Sequence, residues 1–72
     1  MTYKIIKTEN YDVEIGTADT IDGAIDVIKA HDAKCKYPLG NIEFEIDDKD
    51  DGLDAFGSTG SRIVLFRTEK AA

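Results

Sequence analysis

The sequence predicts an α+β fold, a small two-layer ββαββ domain in which one helix packs on a mainly antiparallel four-stranded sheet. Two patterns predict it. Apolar and acidic residues alternate over 11–17 and 42–47, as in strands that are buried on one face. Residues 20–33 instead carry apolar residues at helical spacing. With 72 residues, of which 42% are hydrophobic, the chain is expected to form a single domain spanning 1–72.

The first two strands are predicted to form a hairpin. Residues 3–8 form the first strand and residues 11–17 the second, and the polar pair Glu9-Asn10 joins them. Asn10 suits the turn because it tolerates a positive φ. The second strand has one apolar and one acidic face: Tyr11, Val13 and Ile15 against Asp12 and Glu14.

Residues 20–33 are predicted to form the helix, because four apolar residues at i, i+3, i+4 and i+7 make one stripe: Ile21, Ala24, Ile25 and Ile28. Thr20 or Asp19 is the expected N-cap, since either side chain accepts a hydrogen bond from a free backbone N–H. Pro38 and Gly40 are expected to end this segment and turn the chain.

Residues 42–47 and 62–68 are the remaining predicted strands. The segment 48–61 between them is acidic and then rich in Gly and Ser, which predicts a long connection. The first and last strands are apolar on both faces, which indicates central positions in the sheet. Numbered in chain order, the four strands are therefore expected in the spatial order 2-1-4-3.

One helix covers only one face of the predicted sheet, so apolar residues on the other face are exposed. Ile6, Val64 and Phe66, or their neighbours of opposite parity, are expected to form a small apolar stripe there. Such a stripe marks an interface if it is large enough. The other interpretation is a set of scattered apolar residues on a small sheet, and the sequence leaves both open.

The negative charge is concentrated in one segment. The chain has 15 Asp and Glu against 9 Lys and Arg, a net charge of −6. The negative sign argues against direct binding of nucleic acid, which needs a basic face. Residues 41–54 alone carry −6, and the rest of the chain is neutral, because that segment combines Lys49 with seven acids: Glu43, Glu45, Asp47, Asp48, Asp50, Asp51 and Asp54.

Three interpretations of this acidic segment compete. It is a solvated edge that discourages pairing with other chains, a surface that recognises a basic partner by imitating a run of phosphates, or a calcium site. An EF-hand does not fit, because with Gly52 at position 6 of the loop a lysine, Lys49, falls at position 3. Position 12 is Ser58 rather than Glu. Weak calcium binding of another kind stays open, and no metal ligand or cofactor is assigned.

Leu53 and Phe56 are apolar residues in the otherwise polar segment 48–61. One interpretation is that they fold back and cover the end of the sheet. The other is an exposed anchor pair surrounded by charge, an arrangement typical of binding hot spots.

His31 and Cys35 are the candidates for catalysis. They lie four positions apart, but nucleophilic catalysis needs a third, orienting group and a pocket, and zinc needs three or four ligands. We therefore expect a non-catalytic protein. The single cysteine, the lysine-interrupted N-terminal sequence and apolar runs no longer than four residues favour the cytoplasm, of a cell or of a virus-infected host.

Three segments set the layout of the chain: Tyr3-Lys4-Ile5-Ile6-Lys7, the helix entry Thr20-Ile21-Asp22-Gly23-Ala24, and the closing strand from Arg62 to Arg67. In this layout the chain resembles small phage-encoded inhibitor proteins of the anti-CRISPR type, in which two hairpins and one helix form a sheet backed by the helix. The resemblance implies an inhibitor that occupies a surface of a host defence complex. It is one of layout, so no site residue is carried over from it.

The leading hypothesis is a small acidic, non-catalytic binding protein that engages a basic, nucleic-acid-binding surface of a partner protein. The alternative is a structural or assembly module that homodimerises through its sheet, in which the acidic segment only solubilises the chain or weakly binds calcium. The predicted partner-binding residues are Glu43, Glu45, Asp47, Asp48, Asp50, Asp51, Asp54, Leu53 and Phe56.

Overall fold

A computed structural model describes residues 2–47 and 52–71. Within them the chain forms one helix and one antiparallel sheet of five strands in the order β2-β1-β5-β4-β3, which confirms the α+β class. No helix in the described part is long and apolar enough to cross a membrane. The elements are β1 Thr2–Thr8, β2 Asp12–Ala18, α1 Ile21–Lys34, β3 Ile42–Asp47, β4 Gly52–Thr59 and β5 Arg62–Ala71.

The expectation of four strands is wrong, because β4 lies in the segment predicted as a connection. β4 pairs with β3 on one side and with β5 on the other, so the last two predicted strands are not neighbours. A tight turn at Gly60 and Ser61 then leads into β5, and Gly60 supplies the positive φ of 57° that it needs. The placement of the first strand beside the last is confirmed.

The core lies between α1 and one face of the sheet, called here the helix face. Ile5 of β1, Ile28 of α1 and Val64 of β5 are fully buried in it, and Leu53 of β4 is 2% exposed. Thr20 is the N-cap of α1, and its hydroxyl accepts a hydrogen bond from the backbone N–H of Gly23 at 2.9 Å. The other face of the sheet, called here the open face, has no helix on it in the described part of the chain.

α1 lies closest to β2. A Cβ at Gly16 of β2 would stand 2.9 Å from Cγ1 of Val27, so only glycine fits beneath the helix at this point. The pairing of β1 with β2 shifts between Ile5 and Ile6, whose partners are Gly16 and Glu14. Ile15 is therefore an extra residue on β2, a β-bulge, which bends this outer strand.

Asp32 fixes the connection from α1 to β3. Its side chain is buried, and its two carboxylate oxygens accept hydrogen bonds from the backbone N–H groups of Leu39, at 2.9 Å, and Gly40, at 3.1 Å. Leu39 is thereby held in the core beneath β4. A buried polar group with all its partners in place stabilises one arrangement of the chain.

Replacing Asp32 with Ala is expected to lower the free energy of unfolding by about 1–3 kcal/mol, because two backbone donors lose their acceptors. Asp32→Asn keeps one acceptor oxygen and is expected to fall between Asp32→Ala and the unmodified chain. Urea denaturation followed by circular dichroism measures both. Asp26→Ala is the matched control, since Asp26 is an exposed residue of the same helix. Equal stability of Asp32→Ala and Asp26→Ala would contradict this role.

Candidate functional site

Three of the predicted carboxylates lie together on the open face. Glu43 and Glu45 belong to β3, Asp54 belongs to β4, and all three side chains are exposed. Glu45 and Asp54 are direct cross-strand partners, and like charges in that position destabilise a sheet. Within the described residues none of the three makes an ion pair. We call these residues the acidic trio.

An apolar row lies beside the acidic trio. Phe56 of β4 and Leu65 of β5 are cross-strand partners that are 41% and 49% exposed, and Ile63 of β5 is 60% exposed. Phe56 also pairs with Glu43 across β3 and β4. A shallow depression of about 340 Å³ is lined by both sets: Glu43, Glu45, Asp54, Phe56 and Leu65 among others.

The open face combines the two forms of the expected stripe: Ile63 and Leu65 come from the second form, and Ile6 from the first. Val64 and Phe66 face the helix and are buried, so their neighbours Ile63 and Leu65 lie on the open face. Ile6 is on the open face too, but it is only 9% exposed. Its cross-strand partner is Arg67, whose side chain extends toward β2.

Leu53 and Phe56 do not form one anchor. Leu53 is buried in the core, where its backbone N–H donates to the hydroxyl of Thr68 at 2.9 Å, whereas Phe56 is exposed on the opposite face. The odd spacing of the two residues along one strand separates them in this way. The remaining predicted residues, Asp48, Asp50, Asp51 and the side chain of Asp47, lie outside the described part.

On the part of the open face formed by β1, β2 and β5, Arg67 makes ion pairs with Asp12 and Glu69. Arg67 is the cross-strand partner of Asp54, but its guanidinium turns away and donates to Thr8, Asp12 and Glu69, at 3.2 Å each. The hydroxyl of Thr8 also donates to Asp12, at 2.6 Å. The pKa of Asp12 is lowered mainly by the hydrogen bond from Thr8 and next by the hydrogen bond from Arg67.

A second group of charged residues lies between the end of α1 and the first hairpin. Lys7 Nζ lies 3.5 Å from Nε2 of His31 and 3.8 Å from Oε1 of Glu9. The other carboxylate oxygen of Glu9, Oε2, accepts a hydrogen bond from Nε of Arg62 at 2.9 Å. A cleft of about 160 Å³ opens there. The pKa of His31 is lowered, first by burial and then by the charge of Lys7. The lowered pKa favours the neutral imidazole, and in the tautomer that carries its proton on Nδ1 the Nε2 atom accepts a hydrogen bond from the ammonium group.

His31 and Cys35 do not meet through their reactive atoms. The thiol of Cys35 points to the backbone carbonyl of His31, at 3.3 Å, while the imidazole faces Lys7. In the part of the chain that is described, no three His, Cys, Asp or Glu side chains are grouped to hold a metal ion. The EF-hand alignment fails there as well, because its residues 52–58 form most of β4.

No protein-family model, curated protein or solved structure matches this chain. The function is therefore inferred from the acidic trio and the apolar row.

His31 is expected to titrate below the ordinary histidine value of about 6.5, as followed by NMR of its ring protons. Lys7→Met is expected to raise its pKa without restoring the ordinary value, because burial is the larger cause of the shift. Lys4→Met is the control, since Lys4 is exposed on the same strand. An unchanged His31 pKa in Lys7→Met, or an equal change in Lys4→Met, would contradict the contact.

The same shift makes folding depend on pH. Just below the ordinary pKa of histidine, His31 binds a proton in the unfolded chain but not yet in the folded chain. The neutral, partly buried His31 therefore contributes fully to the free energy of unfolding above that pH. This contribution is expected to be lost as the pH falls through the lowered pKa of the folded state.

Proposed function

We propose that this chain is a non-catalytic binding protein whose acidic trio and apolar row engage a basic surface of a partner protein. The observation that carries the proposal is the unpaired state of the acidic trio within the described residues, next to Phe56 and Leu65. Three carboxylates on two adjacent strands repel one another in the free chain. Lysine or arginine side chains of a partner relieve that repulsion and draw the partner in from solution.

The division of the open face supports this location. Arg67 pairs with Asp12 and Glu69 although Asp54 is its cross-strand partner, so these two carboxylates are matched by a positive charge whereas the acidic trio is not. Exposed apolar side chains next to unmatched charges suit an interface in which the apolar contacts give affinity and the charges give orientation.

The finer form of the proposal is a phage-type inhibitor similar in action to anti-CRISPR proteins. A row of carboxylates at strand spacing imitates the phosphates of a nucleic acid, so such an inhibitor occupies the nucleic-acid site of its partner. Glu43 and Glu45 supply two members of that row, on one face of an outer strand.

The apolar row also favours an alternative, in which two copies associate through their open faces. Ile63, Leu65 and Phe56 are exposed and adjacent, as a dimer contact requires. The two functions respond to salt in opposite ways. Salt screens the acidic trio, so it weakens binding to a basic partner but strengthens self-association. Sedimentation over a concentration series at low and high salt separates them.

Binding to poly-L-lysine tests the proposed location of the site. Affinity is expected to fall steeply as salt rises from about 20 to 300 mM. The variant Glu43→Gln/Glu45→Gln/Asp54→Asn is expected to bind about tenfold more weakly, since three favourable charge contacts are lost. Isothermal titration calorimetry measures both.

The control is the variant Glu14→Gln/Asp19→Asn/Asp26→Asn, which changes the net charge by the same amount through exposed acids elsewhere. It is expected to bind nearly as well as the unmodified chain. If both variants weaken binding equally, the affinity follows net charge alone and the proposed site is wrong. A salt-independent affinity would contradict the proposal as well.

A further inference from the structure

β3 is an outer strand of the sheet, with β4 on one side only. In an antiparallel pair every second residue turns its N–H and C=O groups away from the partner strand. The outward edge of β3 therefore presents a row of backbone donors and acceptors, and such a row is a template for pairing with another extended chain.

The two outer strands differ in how they are protected. β2 is bent by the bulge at Ile15 and lies directly under α1, with Val27 against Gly16. β3 pairs with β4 in unbroken register, from Ile42 opposite Gly57 to Asp47 opposite Gly52. Bulges and covering elements are the usual protection of an edge. The described residues of β3 have neither a bulge nor a covering element, so the charges of Glu43 and Glu45 are the protection of this edge.

The two sides of β3 differ in chemistry. On the open face it carries Glu43 and Glu45. On the helix face a groove of about 350 Å³ separates β3 from the second half of α1. This groove is lined by Ile42, Phe44, Ala33 and Pro38, together with Lys29, Asp32 and Gly40. Beyond Phe44, Ile46 is 54% exposed on the same side.

Lys29 places one charge at the groove, and Asp32 places none that a bound side chain would meet. The ammonium of Lys29 stands over the ring of Phe44, 5.8 Å from its centroid. Asp32 is turned inward to the backbone N–H groups of Leu39 and Gly40. The walls that a bound side chain would contact are therefore mostly apolar.

From this arrangement we propose that β3 binds an extended segment of the partner as a sixth strand, with alternate residues basic and apolar. Its basic side chains lie over Glu43 and Glu45, and its apolar side chains enter the groove between β3 and α1. Strand addition beside a helix is a recurring way of binding peptides. The inference rests on the proposed function and names the form of the partner.

A second copy of this chain is a poor occupant of the same edge. Pairing β3 with another β3 brings the rows formed by Glu43 and Glu45 together, and like charges at cross-strand positions destabilise a sheet. The negative charges of β3 therefore favour binding of a basic strand and disfavour pairing with β3 of a second copy of the chain.

Two peptides of equal charge test the mode of binding. The first has about ten residues that alternate lysine with valine, the pattern that strand addition requires. The second has the same sequence with alternate backbone amides N-methylated, so that its backbone can no longer donate to β3. The first is expected to bind at least about tenfold more tightly to the full chain, since several backbone hydrogen bonds are lost in the second.

Hydrogen exchange identifies the strand that receives the peptide. With about nine-tenths of the protein bound, the outward amides of β3 are expected to exchange about tenfold more slowly, because only the free tenth exposes them. The outward amides of β2 are the internal control and are expected to be unchanged.

A pair of exposed isoleucines separates strand addition from docking on the open face. Ile46→Lys places a charge on the helix-face side of β3 and is expected to weaken the alternating peptide about fivefold or more. Ile63→Lys adds the same charge on the open face of β5, at a side chain of similar exposure, and is expected to have a smaller effect.

Equal binding of the two peptides, or no slowing of exchange in β3, would overturn strand addition and leave the proposed function standing. A larger effect of Ile63→Lys than of Ile46→Lys would overturn it also. Failure of the alternating peptide to bind overturns strand addition too. The poly-L-lysine measurements then decide separately whether the proposed function fails with it.

Discussion

One helix covers only part of one face of the five-stranded sheet, and the rest of the structure depends on this limit. α1 has 14 residues and is therefore about 21 Å long and about 10 Å wide, while five strands spaced about 4.8 Å apart span about 20 Å or more. The helix packs closest to β2, at Gly16. The helix face next to β3 is therefore left as a groove, and the open face is not covered at all within the described chain.

The acidic residues lie on the part of the sheet that α1 covers least. The acids of residues 41–54 that the structure describes belong to β3 and β4, the part of the sheet farthest from β2. The other half uses Arg62 and Arg67 to pair Glu9, Asp12 and Glu69. Among the described residues, Glu43, Glu45 and Asp54 thus lie close together without an ion pair, and their mutual repulsion is what a basic partner would offset.

Much of the fold follows from the spacing of apolar residues. The alternation in 11–17 and 42–47 and the helical stripe of 20–33 correspond to β2, β3 and α1, and apolar residues on both faces correctly indicate that the first and last strands are neighbours. β4 was not predicted, because its inward residues are Leu53, Ala55 and Gly57, two of them small. Small residues suit this strand because Leu39 packs directly against Gly57, a contact that no local pattern contains.

The candidate site could be predicted only in part for the same reason. Alternation alone places Glu43 and Glu45 on one face of a strand. The position of Asp54 opposite Glu45, and the exposure of Phe56 rather than Leu53, depend on the register of β4 between two other strands. The exposure of Leu65 and Ile63 depends on which face of β5 the helix covers. Register and face coverage are properties of the packed sheet, and they cannot be predicted from the spacing of residues along the chain.

We propose that the half of the sheet formed by β3 and β4 is the half that binds a basic partner. Backbone amide shifts of the labelled chain, recorded while poly-L-lysine is added at low salt, test it most directly. We expect the largest shifts on β3, β4 and the neighbouring part of β5, and little change on β2 and on the outer surface of α1. Shifts centred on β2, or spread evenly over all exposed acids, would contradict it.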